Sequence, residues 1–482
     1  MSNPMNDEYL TAARDLPEQI WRWDAVDVAA HIRLGTISSR EALESCFKRT
    51  DALNPRLNAI VFADRERALL AANTADSQVS RGEILGPLHG VPVTIKLNVD
   101  VVGEATTNGV PAFAERIAPA NSSVVSNLLK AGAINVGRTN TPPFSFRWFT
   151  ENPLHGRTLN PWSDSVTSGG SSGGAAVSVA AGMCPLAHGT DIAGSIRYPA
   201  YVNGIAGLRA TPGRIPAFHP TTGLRYLGLQ TMSAQGPLAR SMRDLQLGLA
   251  AMAQPDRRDS MWVPAHMCYP DDTCTVRVAL VDEIPGVSLD PAIKTSLNDT
   301  AHILEAAGYR VERATPPGMI EGVEIWQSIV MTEVRLGMYA GVRAMADETI
   351  LRAVGNLVAA APEMDLQGYA LAIAQRDELR RKWNEFLIRY PLILMPSACQ
   401  LPMRWGEDLG SIEEIKRVLV DQSPLITVAA LGLPGLSVPT GVVDDLPMGV
   451  QLVADSYREQ RLLYAGEIIE REVKMPNLHD RV

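Results

Sequence analysis

Five cysteines in 482 residues, none in a C-x-x-C pair, leave little material for a disulfide framework or a thiolate metal site. Cys46, Cys184, Cys268, Cys274 and Cys399 are scattered, which predicts a reduced protein with structural or incidental thiols; in an oxidising compartment Cys268 and Cys274 could be bridged. There is no H-E-x-x-H, and the 8 histidines show no metal-ligand spacing, so zinc hydrolysis is disfavoured and no metal is expected. No apolar run approaches the ~18 residues of a spanning helix. The opening MSNPMNDEYLTAARDLPEQ lacks the basic start and apolar core of a signal peptide. Lys and Arg number 44 against 53 Asp and Glu, net −9, which provides no electrostatic footprint for nucleic acid or an anionic membrane. These absences predict a cytoplasmic protein with no nucleic-acid or membrane partner.

What is present is globular: 46% hydrophobic and 20% charged residues, enough for a large core. Residues 24–50 carry two helical patterns, the second capped by Ser38 or Ser39, and another helix is expected over Asp64–Asp76. GPLHGVPVTIKLNVD reads as a strand with Val91, Val93 and Ile95 on one face and Thr94 and Lys96 on the other. SSVVSNLLKAG then predicts a helix ended by Gly132, with AINVGRT as the next strand. CTVRVALVD, the helix closed by Gly308, and YRVERAT repeat the theme. Residues 322–389 are mostly helical, PLILMPSAC is a buried strand, LSVPTGVVDDLPMGVQLVA is a hairpin turning at Asp444 and Asp445, and EQRLLYAGEIIEREV is an amphipathic helix. The alternation argues for an α/β fold with a layered sheet, and the lack of linker or repeat for one domain over 1–482.

The chemistry centres on VTSGGSSGGAAVSVAAG, residues 166–182. A P-loop is excluded because Gly173-Gly174 lead into alanines rather than Lys-Ser/Thr. A Rossmann turn needs a preceding strand, and NPWSDSVTS is turn-rich. Gly169-x-Ser171-x-Gly173 matches a nucleophile elbow, but the strand before it is missing here too. A second serine, Ser195, lies in the tight turn GTDIAGSIRYPA, where consecutive N–H groups of Ile192, Ala193 and Gly194 can converge on an oxyanion. Such a nucleophile needs a proton acceptor. Lys96 reads either as that base, if burial keeps it neutral, or as a solvated strand-end lysine.

Together GVPVTIK, VGRTNTPPF, NPLHGRTLNPW, SGGSSGG, GTDIAGSIRYPA, GLRATPGRIP, GLPGLSVPTG and LPMGVQLV resemble the amidase signature family in order and spacing. Lys96 precedes Ser171 by 75 residues and Ser195 follows it by 24, intervals similar to those between the family's catalytic residues. The dense similarity covers about 86–216, flanked by an N-terminal helical region to about residue 80 and helical and sheet elements over about 217–482. The resemblance implies a central mixed β-sheet covered by helices on both faces. It implies a Ser–cis-Ser–Lys triad with Ser195 as nucleophile, Ser171 as bridging serine after a cis Gly170–Ser171 peptide, and Lys96 as base. It further implies an oxyanion hole at Ile192, Ala193 and Gly194, support from Ser172, Asp191 and Arg197, no cofactor, and a homodimer by analogy. Three departures stand out. Ala193 replaces a usual glycine, which carries a penalty of about 1 kcal/mol if that position needs positive φ. Leu97 replaces a common acidic residue, and Arg209-Ala210 replaces a common Lys-Pro, read as structural.

SFRWFTEN, residues 145–152, falls where such enzymes form part of the acyl channel, so Ser145, Phe146, Trp148 and Phe149, with Tyr198 and Tyr201 near Ser195, are candidate substrate walls. The expected activity is hydrolysis of a small or medium hydrophobic amide, anilide or carbamate. A glutamine-hydrolysing amidotransferase subunit, and a silent binding protein on the same scaffold, are the alternatives.

Overall fold

Along the strand Leu392–Pro396, Leu392 and Leu394 enter one apolar core while Ile393 and Met395 enter another. Val278 and Leu280 oppose Ala279 and Val281 in the same way. A strand whose alternate side chains are all apolar must be covered on both faces, and helices pack on each side of the sheet here. The computed structural model describes residues 16–83, 85–267, 275–473, 475, 476 and 478. Cys268, Cys274 and most of the opening segment lie outside the described residues; Cys46, Cys184 and Cys399 are buried free thiols. No helix among the described residues is long and apolar enough to cross a membrane.

The main sheet has eleven strands: β1 (Ile60–Phe62), β2 (Pro92–Lys96), β3 (Ile134–Thr139), β4 (Leu186–Asp191), β5 (Ala206–Arg209), β6 (Ala234–Ala239), β7 (Arg277–Leu280), β8 (Arg310–Arg313), β9 (Leu392–Pro396), β10 (Gly435–Val443) and β11 (Leu446–Ala454). Their spatial order is β1-β3-β2-β4-β6-β5-β10-β11-β9-β7-β8. The sheet is mixed: β2 runs parallel to both β3 and β4, β9, β7 and β8 are parallel, and the centre from β4 to β11 is antiparallel. The predicted hairpin is β10–β11, and Asp444 and Asp445 take φ of 49° and 61°, the left-handed pair that a two-residue hairpin turn of the primed type requires.

The N-terminal helices follow their caps. Ser38, not Ser39, caps Ser39–Leu57, in a reciprocal capping box with Glu41, and Asp64 caps Arg65–Ser80. Two short helices matter for the site. Gly173–Ala180 is wholly buried, and Arg197–Asn203, equally buried, begins just after Ser195.

Candidate active site

Lys96 ends β2, and Thr190 and Asp191 end the parallel neighbour β4, so the site forms at the carboxyl ends of adjacent parallel strands. The period-two pattern that puts Val93 and Ile95 in one core turns Thr94 and Lys96 to the other face, under the glycine-rich stretch. Lys96 is fully buried rather than a solvated strand-end lysine. Its Nζ lies 2.7 Å from Ser171 Oγ, 3.0 Å from Ser172 Oγ and 2.9 Å from Thr190 Oγ1. Burial holds the amine well below the ordinary lysine value, with the Asp191 carboxylate pulling the other way. A neutral amine donates twice and accepts once, and three hydroxyls surround it. Ser172 directs its own proton to the Thr190 carbonyl at 3.3 Å, so it receives from Lys96. Asn98 Nδ2 donates to Thr190 Oγ1 at 3.0 Å. Ser171 is the closest hydroxyl with no other acceptor.

The Gly170–Ser171 peptide is cis. A Cβ on Gly170 would stand 2.6 Å from the Phe149 backbone nitrogen, so no other residue fits there. Ser172 N–H donates to the Ser195 carbonyl at 3.2 Å and joins the glycine-rich stretch to the second turn. Ser195 is nearly buried, and its Oγ makes no hydrogen bond to Ser171. Lys96 and Ser171 are therefore brought into contact, while Ser195 is brought alongside but not bonded to them.

The four backbone carbonyls of residues 192–195 all accept hydrogen bonds, as carbonyls taken from water need to. The Ile192 carbonyl accepts from Trp326 Nε1 at 3.0 Å, the Ala193 carbonyl from Trp148 Nε1 at 3.2 Å, and the Gly194 carbonyl from Tyr198 N–H at 2.7 Å. Gly194 N–H donates to Asp191 Oδ1 at 2.9 Å. That corrects the expected oxyanion set: Gly194 shapes the turn but its amide is already engaged. The amides of Ile192, Ala193 and Ser195 donate to no acceptor among the described residues. The penalty expected at Ala193 does not arise, because the left-handed residue is Gly194, φ 101°, where a Cβ would also meet Leu425 Cδ1 at 2.7 Å.

Asp191 organises this turn. Its carboxylate accepts from Gly194 and Ile196 N–H and is gripped by Arg197 through Nε at 3.0 Å and Nη2 at 2.9 Å. Arg209 adds Nη1 bonds to the Asp191 carbonyl at 2.5 Å and to its carboxylate at 3.3 Å. Gln451 Oε1 accepts from Arg197 Nη1 at 2.5 Å. Burial alone would raise the Asp191 pKa, but Arg197 and Arg209 together hold it well below the usual carboxylate range. Burial also lowers Arg209, to about 9. The cluster is wholly buried, so Asp191 and Arg197 pair inside the protein, and Arg209 braces the site rather than the fold alone. Asp191→Asn leaves two buried guanidinium groups without their counter-charge. It is expected to reduce stability by about 3–5 kcal/mol, and an unchanged urea midpoint would contradict this account.

A cleft of about 350 Å³, counting its open mouth, reaches this turn and is lined by Ser145, Phe146, Arg147, Trp148, Ile192, Ala193, Ser195, Trp326 and Leu357. Ser145, Phe146 and Trp148 thus line a cleft together with Ser195. Phe149 and Tyr198 do not. Phe149 is buried edge-on against Trp405, and the Tyr198 hydroxyl, fully buried, accepts from Met403 N–H at 3.1 Å. Tyr201 is likewise core, its hydroxyl donating to the Gln400 carbonyl. Thr190, Arg209, Trp326 and Gln451 were not singled out as site residues. Arg209 and Gln451 stand inside quoted motifs, but their partners are set by strand pairing, and Trp326 has no local signal at all.

A model of the amidase family matches residues 41–463. The chain belongs to the amidase family. It is a hydrolase of C–N bonds, built on the amidase signature fold. Among curated relatives, this amidase is 44% identical over 454 residues to indoleacetamide hydrolase of Bradyrhizobium diazoefficiens, covering 94% of this chain and 86% of that one. It is 32% identical to acylamidase of Rhodococcus erythropolis, over 93% of this chain and 95% of the relative. Among solved structures, 6-aminohexanoate cyclic dimer hydrolase superposes with a TM-score of 0.82 at 26% identity, covering 95% of the amidase and 99% of its own chain.

Proposed function

We propose that the chain hydrolyses the amide of a small aryl-substituted acid, an arylacetamide, with Ser195 as nucleophile, Ser171 as relay and Lys96 as base. The observation that carries the reading is a buried lysine amine 2.7 Å from Ser171, on a stretch bonded through Ser172 to Ser195, which itself lines a cleft walled by Phe146, Trp148 and Trp326. The relative named for indoleacetamide supports an aromatic acyl group.

In this mechanism Ser195 Oγ attacks the amide carbonyl while its proton passes to Ser171 and the Ser171 proton to neutral Lys96. The open Ser171–Ser195 contact closes in the substrate complex, as catalytic hydrogen bonds that are long in the free enzyme often do. The free amides of Ile192, Ala193 and Ser195 receive the oxyanion. The C–N bond breaks as Ser171 protonates the leaving nitrogen and Lys96 returns the proton to Ser171. Water then attacks the acyl-enzyme through the same relay and releases the acid.

Burying a phenyl or indole ring in the cleft contributes about 1.5–3 kcal/mol. Indole-3-acetamide and phenylacetamide are therefore expected to exceed propionamide and glutamine in kcat/KM by about tenfold to 100-fold. Ammonia release across that set decides the matter. Faster hydrolysis of glutamine would favour an amidotransferase-type enzyme instead.

A further inference from the structure

We propose that Trp326 is a positioning residue for the oxyanion turn, holding the Ile192–Ala193 peptide through its indole N–H while its ring walls the acyl cleft. The inference rests on reading that turn as the oxyanion donor, and extends it to a residue 134 positions away from Ile192. Trp326 ends the helix Met319–Trp326, and the chain continues directly as a π-helical turn over Gln327–Met331. Such wide turns are rare and recur at functional sites. The side chain is almost fully buried, yet its Nε1 reaches the Ile192 carbonyl at 3.0 Å and its ring faces the cleft.

Two indoles hold two successive carbonyls, but they do not do the same work. In a trans peptide the C=O of one residue and the N–H of the next point in opposite directions, so fixing one fixes the other. Trp148 fixes the Ala193 carbonyl, and the amide on that peptide belongs to Gly194, which Asp191 already holds. Trp326 fixes the Ile192 carbonyl, and the amide on that peptide is Ala193, which donates to no acceptor among the described residues. Of the two, Trp326 alone governs an amide available to substrate. Without it the part-buried Ile192 carbonyl loses its donor, and the peptide loses the contact that sets its orientation.

The test separates the N–H from the ring. Trp326→Phe keeps an aromatic wall and removes the donor. Its kcat for an arylacetamide is expected to fall about tenfold with KM within about twofold, and Ser195 phosphonylation by a fluorophosphonate to slow about equally. Trp326→His, whose Nε2 overlays the indole Nε1 in the five-membered ring, is expected to recover part of the lost kcat although its smaller ring raises KM. Trp148→Phe is expected to reduce kcat less than Trp326→Phe does. Wild-type kcat in Trp326→Phe, a loss carried by KM alone, or a further fall of kcat in Trp326→His would overturn the inference. Failure of the unaltered enzyme to label at Ser195 is a separate result, and removes the reading of the turn itself.

Discussion

Ser195→Ala is expected to lower kcat/KM for an arylacetamide by about 10⁴-fold or more, the scale on which loss of a serine nucleophile is felt in serine hydrolases. The urea midpoint should not move. Ser195 Oγ makes no hydrogen bond among the described residues, so its removal takes no partner from any of them, and the Ser195 carbonyl still receives Ser172 N–H. Activity loss with unchanged stability marks a group held ready for substrate rather than for the fold. Steady-state kinetics and urea unfolding of the same preparation measure both halves. Fluorophosphonate labelling with peptide mass mapping then identifies the reactive serine: the mark is expected on Ser195 and absent from Ser195→Ala. A mark on Ser171 would move the nucleophile to the elbow-like stretch and end the relay described above.

Lys96→Met is expected to cost about 10²–10⁴-fold in kcat/KM, the usual contribution of a positioned general base. The more discriminating readout is pH. Burial disfavours the ammonium, so Lys96 loses its proton well below the ordinary lysine value, and the active neutral form dominates above that point. Activity should therefore rise with pH along a single acid limb and hold to about pH 9. The sign for stability follows from the same shift. Between the lowered folded pKa and the unfolded value of about 10.4, the unfolded chain binds the extra proton, so stability increases with pH through that window. Lys96→Met should remove both the acid limb and that component of the slope. An optimum below neutrality with activity vanishing by about pH 9 would exclude a lysine base.

Much of the fold was legible because its signals are local. Ser38 or Ser39 announced one helix start, which the reciprocal bond of Ser38 with Glu41 places at Ser38, and the helix expected from Asp64 starts at that residue's own bond from Arg67 N–H; both caps span only three residues. The Asp444-Asp445 pair announced a hairpin through the backbone angles such a turn demands. The alternation of Val91, Val93 and Ile95 against Thr94 and Lys96 announced which residues share a face. The SFRWF stretch was half legible: Phe146 and Trp148 reach the cleft, while Phe149 turns to Trp405. Aromatic composition says that a ring will be buried, but not against which neighbour.

The residue types of the site, their spacing and the strand face that carries Lys96 follow from order along the chain and from the two-residue period of a strand. Tertiary structure alone buries Lys96 and disfavours its ammonium form, since a strand pattern says which way a side chain points but not whether Ser171, Ser172 and Thr190 will close over it. It alone brought Arg209 from β5 and Gln451 from β11 to the Asp191–Arg197 cluster, and Trp326 from a distant helix to Ile192. Those contacts join segments up to 254 residues apart, and a hydrogen bond across such a separation exists only once the sheet has set its strand order.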